Sequence, residues 1–169
     1  MANHLVIDGY NLIGLREGLS GDLELKREQL VKDLATYRKV KKHRITVVFD
    51  GWETGAFSES KKKLSGINII FSRRGEKADQ VICRLVSGDG ARFIVVSSDR
   101  EIRDKVTIEG AVSLTSEEFD GLLSMAIHSD GAMRMDDEDD SQSLTTKKKG
   151  NPRRLSKAER KKKKKLKKL

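Results

Sequence analysis

Five short runs of apolar, mostly β-branched residues punctuate the chain: Leu5–Ile7, Ile45–Phe49, Ile67–Phe71, Phe93–Val96 and Ala111–Leu114. Their hydrophobicity is continuous rather than alternating, the pattern of strands buried on both faces of a parallel sheet. Helical patterns lie between them. From Leu23 to His43 the apolar positions Leu23, Leu30, Leu34, Tyr37 and Val40 fall on one side of a charged segment, which predicts one long amphipathic helix. Ala78, Val81, Ile82, Leu85 and Val86 give a helical stripe within Glu76–Ser87. Asp99–Val106 is a shorter helix candidate. Thr115–Ile127 is another, opened by Thr115 with Glu118 at capping-box spacing. Strand and helix therefore alternate, and the expected fold is a three-layer α/β domain with a mainly parallel central sheet. No internal repeat is visible.

The pattern ends near residue 128. Residues 129–169 hold few large apolar side chains, and charge sorts the chain into three parts. Residues 1–128 carry 20 Lys+Arg against 19 Asp+Glu, residues 129–140 carry 1 against 6, and residues 141–169 carry 14 against 1. The overall net charge of +9 is thus the property of an appendage. The expectation is a single folded domain over 1–128 and a disordered acidic-then-basic tail over 129–169. Ser156 and Glu159 could open a helix over 157–169 once a polyanion neutralises the lysines; like charges at i, i+4 should otherwise keep it frayed. The lone Cys83 excludes an internal disulfide and any disulfide-linked partner, and fits a reducing compartment. No apolar run approaches the roughly 18–20 residues of a membrane span, and the N-terminus lacks a signal-like region. These features predict a cytoplasmic protein that does not enter membranes.

Acids recur at one place in this pattern. Asp8 follows Leu5–Ile7, Asp50 follows Val47–Phe49, and Asp99 follows Ile94–Val96 and two serines. The C-terminal ends of parallel strands share one sheet edge, where ligands bind in open α/β sheets. Asp79, in the first turn of the helix opened by Glu76, can lean toward the same edge. Four converging carboxylates repel unless a cation joins them, and oxygen ligands without convergent His or Cys favour Mg²⁺ or Mn²⁺. Such a site suits phosphoryl chemistry. Arg73 and Arg74 before Asp79, and Ser98 and Arg100 beside Asp99, are candidates to hold a phosphodiester backbone. Each acid also has a structural reading, since Asp after a strand commonly caps the next helix. Gly9 is expected to turn the chain sharply off its strand. Tyr10 and Trp52 could stack an unpaired base or simply pack the rim. Cys83, His4, His43 and His128 read as inert.

Other phosphate chemistries fit less well. A phosphorelay receiver needs a strand where residues 14–43 offer a long helix. A haloacid-dehalogenase phosphatase needs a second Asp where Tyr10 stands. No phosphate-cradling glycine loop with a following Lys is present. The competing function class is a non-catalytic RNA- or ribosome-binding protein that uses the basic tail through counterion release.

Four segments in order carry a resemblance. His4-Leu-Val-Ile-Asp-Gly-Tyr-Asn-Leu-Ile13, Val47-Val-Phe-Asp-Gly51, Phe71-Ser-Arg-Arg-Gly-Glu-Lys-Ala-Asp79 and Val95-Val-Ser-Ser-Asp-Arg-Glu-Ile102 resemble the YacP-like branch of the NYN family, whose domains are PIN-like nucleases. The resemblance spans residues 4 to about 127. It implies a metal-dependent endoribonuclease acting on single-stranded RNA, and the branch includes a ribosome-associated enzyme that cuts mRNA during translation. It further implies that Asp8, Asp79 and Asp99 form the acidic core with Asp50 as a fourth member, and that Asn11 orients a metal-bound water or a phosphate. The charged tail lies outside it, and its expected role is to tether the enzyme to RNA or the ribosome.

Overall fold

A computed structural model describes residues 3–51, 57–132 and 157–166. The elements are β1 (His4–Asp8), α1 (Gly9–Glu17), α2 (Leu23–Lys41), β2 (Arg44–Phe49), β3 (Ser60–Leu64), β4 (Ile67–Phe71), α3 (Ala78–Val86), β5 (Phe93–Val96), α4 (Arg100–Ile108), β6 (Val112–Leu114), α5 (Ser116–Ala132) and α6 (Lys157–Leu166). The strands form a six-stranded sheet in the order β3-β4-β2-β1-β5-β6. All neighbours pair in parallel except β3, which runs antiparallel to β4.

The continuous apolar runs are buried on both faces because two helical layers cover the sheet. Leu5, Ile7, Ile45, Val47, Phe49, Ile94 and Val96 pack with Leu12, Leu30, Leu34, Tyr37, Phe119 and Leu123 of α1, α2 and α5. The alternate residues Val6, Val48, Ile70 and Val95 meet Val81, Ile82 and Val86 of α3 and Ile102 and Val106 of α4. Successive side chains of a strand point to opposite faces, so each run feeds both cores. The expected three-layer, mainly parallel α/β architecture is the one observed.

Three elements depart from the sequence reading. Residues 60–64 form a strand although none is expected there. Ser60, Lys61, Lys62, Lys63 and Leu64 are all exposed, so no burial pattern marks them. Pairing with β4 and a two-residue turn at Ser65-Gly66, both at positive φ, hold the strand in place, as in a twisted hairpin. The chain also enters α1 directly at Gly9 rather than turning off the strand. Gly9 has no positive φ; it is small because a Cβ there would lie 2.2 Å from the Phe49 ring.

The third departure is the tail. The sequence allows a helix over 157–169 within the charged tail, and residues 133–156 lie outside the described residues. At the near end α5 runs on to Ala132. At the far end residues 157–166 are helical without a polyanion, because the protein body supplies the counter-groups. Lys161 Nζ donates to the Gly110 carbonyl at 3.1 Å, and Lys165 Nζ to those of Ala91 and Phe93 at 2.6 and 3.3 Å. Lys162 pairs with Glu118 at 3.1 Å. The helix thereby lies against edge strand β6. Among the described residues, no helix is long and apolar enough to cross a membrane.

Candidate active site

Three parallel strand ends build the site. β1 lies between β2 and β5 in the sheet, so Asp8 at the end of β1 stands between Asp50, after β2, and Asp99, after β5. Each acid is fixed by the helix that follows. Asp8 Oδ1 accepts the Asn11 N–H at 3.2 Å and caps α1. Asp50 Oδ1 accepts the Ala78 N–H at 2.5 Å, at the N-terminus of α3. Asp99 Oδ1 accepts the Glu101 and Ile102 N–H groups at 2.8 and 3.4 Å and caps α4. The structural role anticipated for such acids is therefore real, and all three perform it with one oxygen only. Among the described residues, Oδ2 of Asp50 and of Asp99 meets no donor, and Oδ2 of Asp8 has only the Ser97 hydroxyl at 3.5 Å.

Burial raises the Asp8 carboxyl to about pH 6 against the Asn11 N–H bond that favours its charged form, and the negative charges of Asp50 and Asp99 push it the same way. This is the electrostatic signature of three carboxylates gathered at one edge. Asp79 is placed differently. It lies in the first turn of α3 as expected, but its carboxylate accepts the Gln80 N–H at 2.8 Å. Its charge is felt at Cys83 and Lys105, in the groove between α3 and α4.

Among the described residues, no three His, Cys, Asp or Glu side chains close on one point as a metal cage. The donor set has a different character: hard carboxylate oxygens with one lone oxygen each, beside a carboxyl whose charged form is disfavoured. That suits an ion such as Mg²⁺, which keeps several waters and takes only one or two carboxylates.

The substrate-facing candidates separate into braces and free arms. Asn11 is a brace. Its Oδ1 accepts the Ser98 N–H at 2.8 Å and the Ser116 hydroxyl at 2.5 Å, which ties α1, the loop after β5 and the start of α5 together. Because the Ser98 N–H can only donate, this contact sets the orientation of the Asn11 amide. Ser98 is also engaged, with its Oγ donating to Glu117 at 3.1 Å and accepting the Ser116 N–H at 3.2 Å. Arg73, Arg74 and Arg100 are exposed; Arg73 and Arg100 make only long ion pairs, to Glu76 at 3.5 Å and Asp104 at 3.7 Å.

Tyr10 packs the rim: its ring meets Phe49 edge-on, and its OH accepts a bond from Arg27 at 2.6 Å. Trp52 lies outside the described residues. Two glycines allow this edge to form, Gly9 under Phe49 and Gly51, where a Cβ would sit 1.7 Å from the Ser72 carbonyl oxygen. Sequence reasoning misses Ser97, Ser116 and Glu117. Ser97 is fully buried and accepts the Asp99 N–H while reaching Asp8; its only sequence mark is the Ser-Ser pair between an apolar run and Asp99.

The model of the YacP-like NYN domain family matches residues 5–169. The match thus runs on through the C-terminal segment, past the point near residue 127 where the sequence resemblance stops. Two crystal structures of Rae1 (YacP) from Bacillus subtilis share the fold. One is 23% identical, covering 79% of this chain and 80% of that chain with a TM-score of 0.64. The other, of a single-substitution variant, is 24% identical over the same shares with a TM-score of 0.61. No curated protein matches this chain.

Proposed function

Since this chain belongs to the YacP-like NYN domain family, whose fold is of nuclease type, we propose that it is a metal-dependent endoribonuclease that hydrolyses phosphodiester bonds in single-stranded RNA, with mRNA on ribosomes as its setting in the cell. The observation that carries this reading is Asp8 between Asp50 and Asp99 at three neighbouring strand ends, each acid held by a helix N-terminus through its Oδ1.

Asp8, Asp50 and Asp99 would hold Mg²⁺ or Mn²⁺, while Asp79, with its carboxylate on the Gln80 N–H, stands apart from them. Such an ion, when bound, polarises the phosphate and makes a water acidic at neutral pH. The chain supplies the rest. Arg73, Arg74 and Arg100 neutralise the phosphodiester backbone on either side of the acids. Asn11 keeps the Ser98 loop against α5 and so holds Asp99 in register with Asp8. In the tail, Lys163 and Lys164 face solvent and provide the tether to RNA or the ribosome.

The test is cleavage of an unstructured RNA by the purified protein with Mn²⁺, beside Asp8→Asn and Asp99→Asn. Wild-type cleavage that both variants lose by 10²-fold or more supports the reading. If wild type and variants are equally inactive on free RNA and on translating ribosomes, the protein is a binding module.

A further inference from the structure

The α3/α4 layer covers only the half of its sheet face nearest the acids, where Val6, Val48, Ile70 and Val95 lie beneath it. Toward the opposite end of the strands, the same face turns polar and basic. His4, Arg44, Thr46 and Asn68 share that face by strand register, and Lys61 and Lys63 join them because they stand opposite Ile70 and Asn68. Together they line an open cleft of about 470 Å³. A second cleft of about 270 Å³ shares Arg44, Lys63 and Asn68 and adds Arg38 and Lys42 from the end of α2. No Asp or Glu lines either cleft.

The charge gathered here is out of proportion to its surroundings. Residues 1–128 are almost balanced in charge, yet five cations meet at this corner. Among the described residues Arg38, Lys42, Arg44 and Lys63 have no ion-pair partner, and Lys61 has only Glu59, at 2.9 Å, which Arg84 also neutralises. His4 adds no charge to the cleft, because burial first, then Arg44 and Arg92, lower its imidazole to about 4. Unpaired cations repel one another, and a polyanion is the partner that relieves this. The cations also have a direction. Ser60, at one end of β3, pairs with Phe71 beside the Arg73–Arg74 loop, and Leu64 lies at the other end, about 13 Å away by the rise of a strand.

We propose that Lys61, Lys63 and Arg44, continued by Arg38 and Lys42, form a track for the backbone of the RNA strand, flanking the segment held at the acids. This rests on the nuclease reading above and deepens it, because it gives the substrate a path and a minimum length. The track sits on β3, at the opposite edge of the sheet from α6, and is therefore separate from the basic tail.

The full chain is compared with a Lys61→Gln/Lys63→Gln/Arg44→Gln variant, using a fluorescent uridine 15-mer in EDTA between 50 and 200 mM KCl. Loss of three phosphate contacts should lower the slope of log affinity against log salt by about 2 and weaken binding roughly 10-fold or more at 100 mM KCl. With Mn²⁺, cleavage of the 15-mer should fall while that of a four-nucleotide RNA stays at the wild-type rate. An unaltered thermal midpoint shows that the variants fold; Lys63→Glu alone gives a second, milder probe. If slope and affinity for the 15-mer do not move, the track is wrong even if RNA is cut. If no RNA is cut but slope and affinity fall as stated, the track stands and the nuclease reading falls.

Discussion

Asp8 carries opposing demands. Chemistry at the strand edge needs a carboxylate there, whereas burial and the charges of Asp50 and Asp99 favour its protonated form and raise it from 3.8 to about 6. For an acid with a raised folded pKa, the unfolded chain releases its proton first, so stability falls as pH rises from about 4 to about 6 and the penalty is constant above that. A shift of this size corresponds to at most about 3 kcal/mol. Asp8→Asn should therefore stabilise the metal-free protein at pH 7.5, raising its thermal midpoint in EDTA by about 5 °C, with little difference from wild type at pH 4. Equal midpoints at both pH values would show that Asp8 is not under this pressure. The neighbouring brace gives the opposite result. Asn11→Ala leaves the Ser98 N–H and the Ser116 hydroxyl without their shared acceptor, which should cost about 1–3 kcal/mol in a urea melt at any pH. The residue scale also shows what a sequence reveals. An Asp ending an apolar run is visible on sight, and so are Asp8, Asp50 and Asp99. The role of Asn11 is not, because its partners lie 87 and 105 residues away.

At the scale of elements, legibility follows burial. Strands β1, β2, β4, β5 and β6 announce themselves because two helical layers bury them, and α2 and α5 because each shows one face to the sheet. The capping box of α5 is present as read, Glu118 N–H to Thr115 Oγ1 and Thr115 N–H to Glu118 Oε2. Strand β3 has no such imprint, since it exists through its hydrogen bonds to β4 rather than through buried side chains. Helix α1 is hidden for a related reason: only Gly9, Leu12 and Ile13 are buried in it, too few for a visible stripe. Helix α6 shows only conditionally, through Ser156 and Glu159, because its stabilisation is long-range and ionic while sequence-local repulsion among lysines points the other way. Lys165 illustrates the balance, its ammonium pushed below the ordinary lysine range by partial burial and then by Lys161. Docking of this kind is screened by salt. Amide hydrogen exchange over residues 157–166 should therefore quicken several-fold between 0.1 and 1 M KCl while β1 and β2 remain protected. Unchanged exchange across that range would mean that packing, rather than charge, holds α6 to β6.

At the scale of the whole molecule, the proposed function separates holding from cutting. Acids occupy one sheet edge in a body whose charges almost cancel, and the excess cations stand apart from them, on the β3 corner and in the C-terminal segment. Removal of residues 141–169 takes away 14 Lys+Arg and 1 Asp+Glu, so the truncated chain has a formal net charge of −4, from +9 less the segment's +13. Its affinity for a 15-nucleotide RNA in EDTA should drop steeply at 50 mM KCl, and the salt slope should flatten, because non-specific binding scales with the phosphates neutralised. The β3 corner retains its cations in that truncation, so a residual slope should persist and fall further when Lys61, Lys63 and Arg44 are also replaced. The acids are untouched by either change, and cleavage of a four-nucleotide RNA with Mn²⁺ should continue at the full-length rate. Equal affinity at low salt with and without residues 141–169 would remove the tether from this scheme and leave the body's own cations as the whole of its hold on RNA.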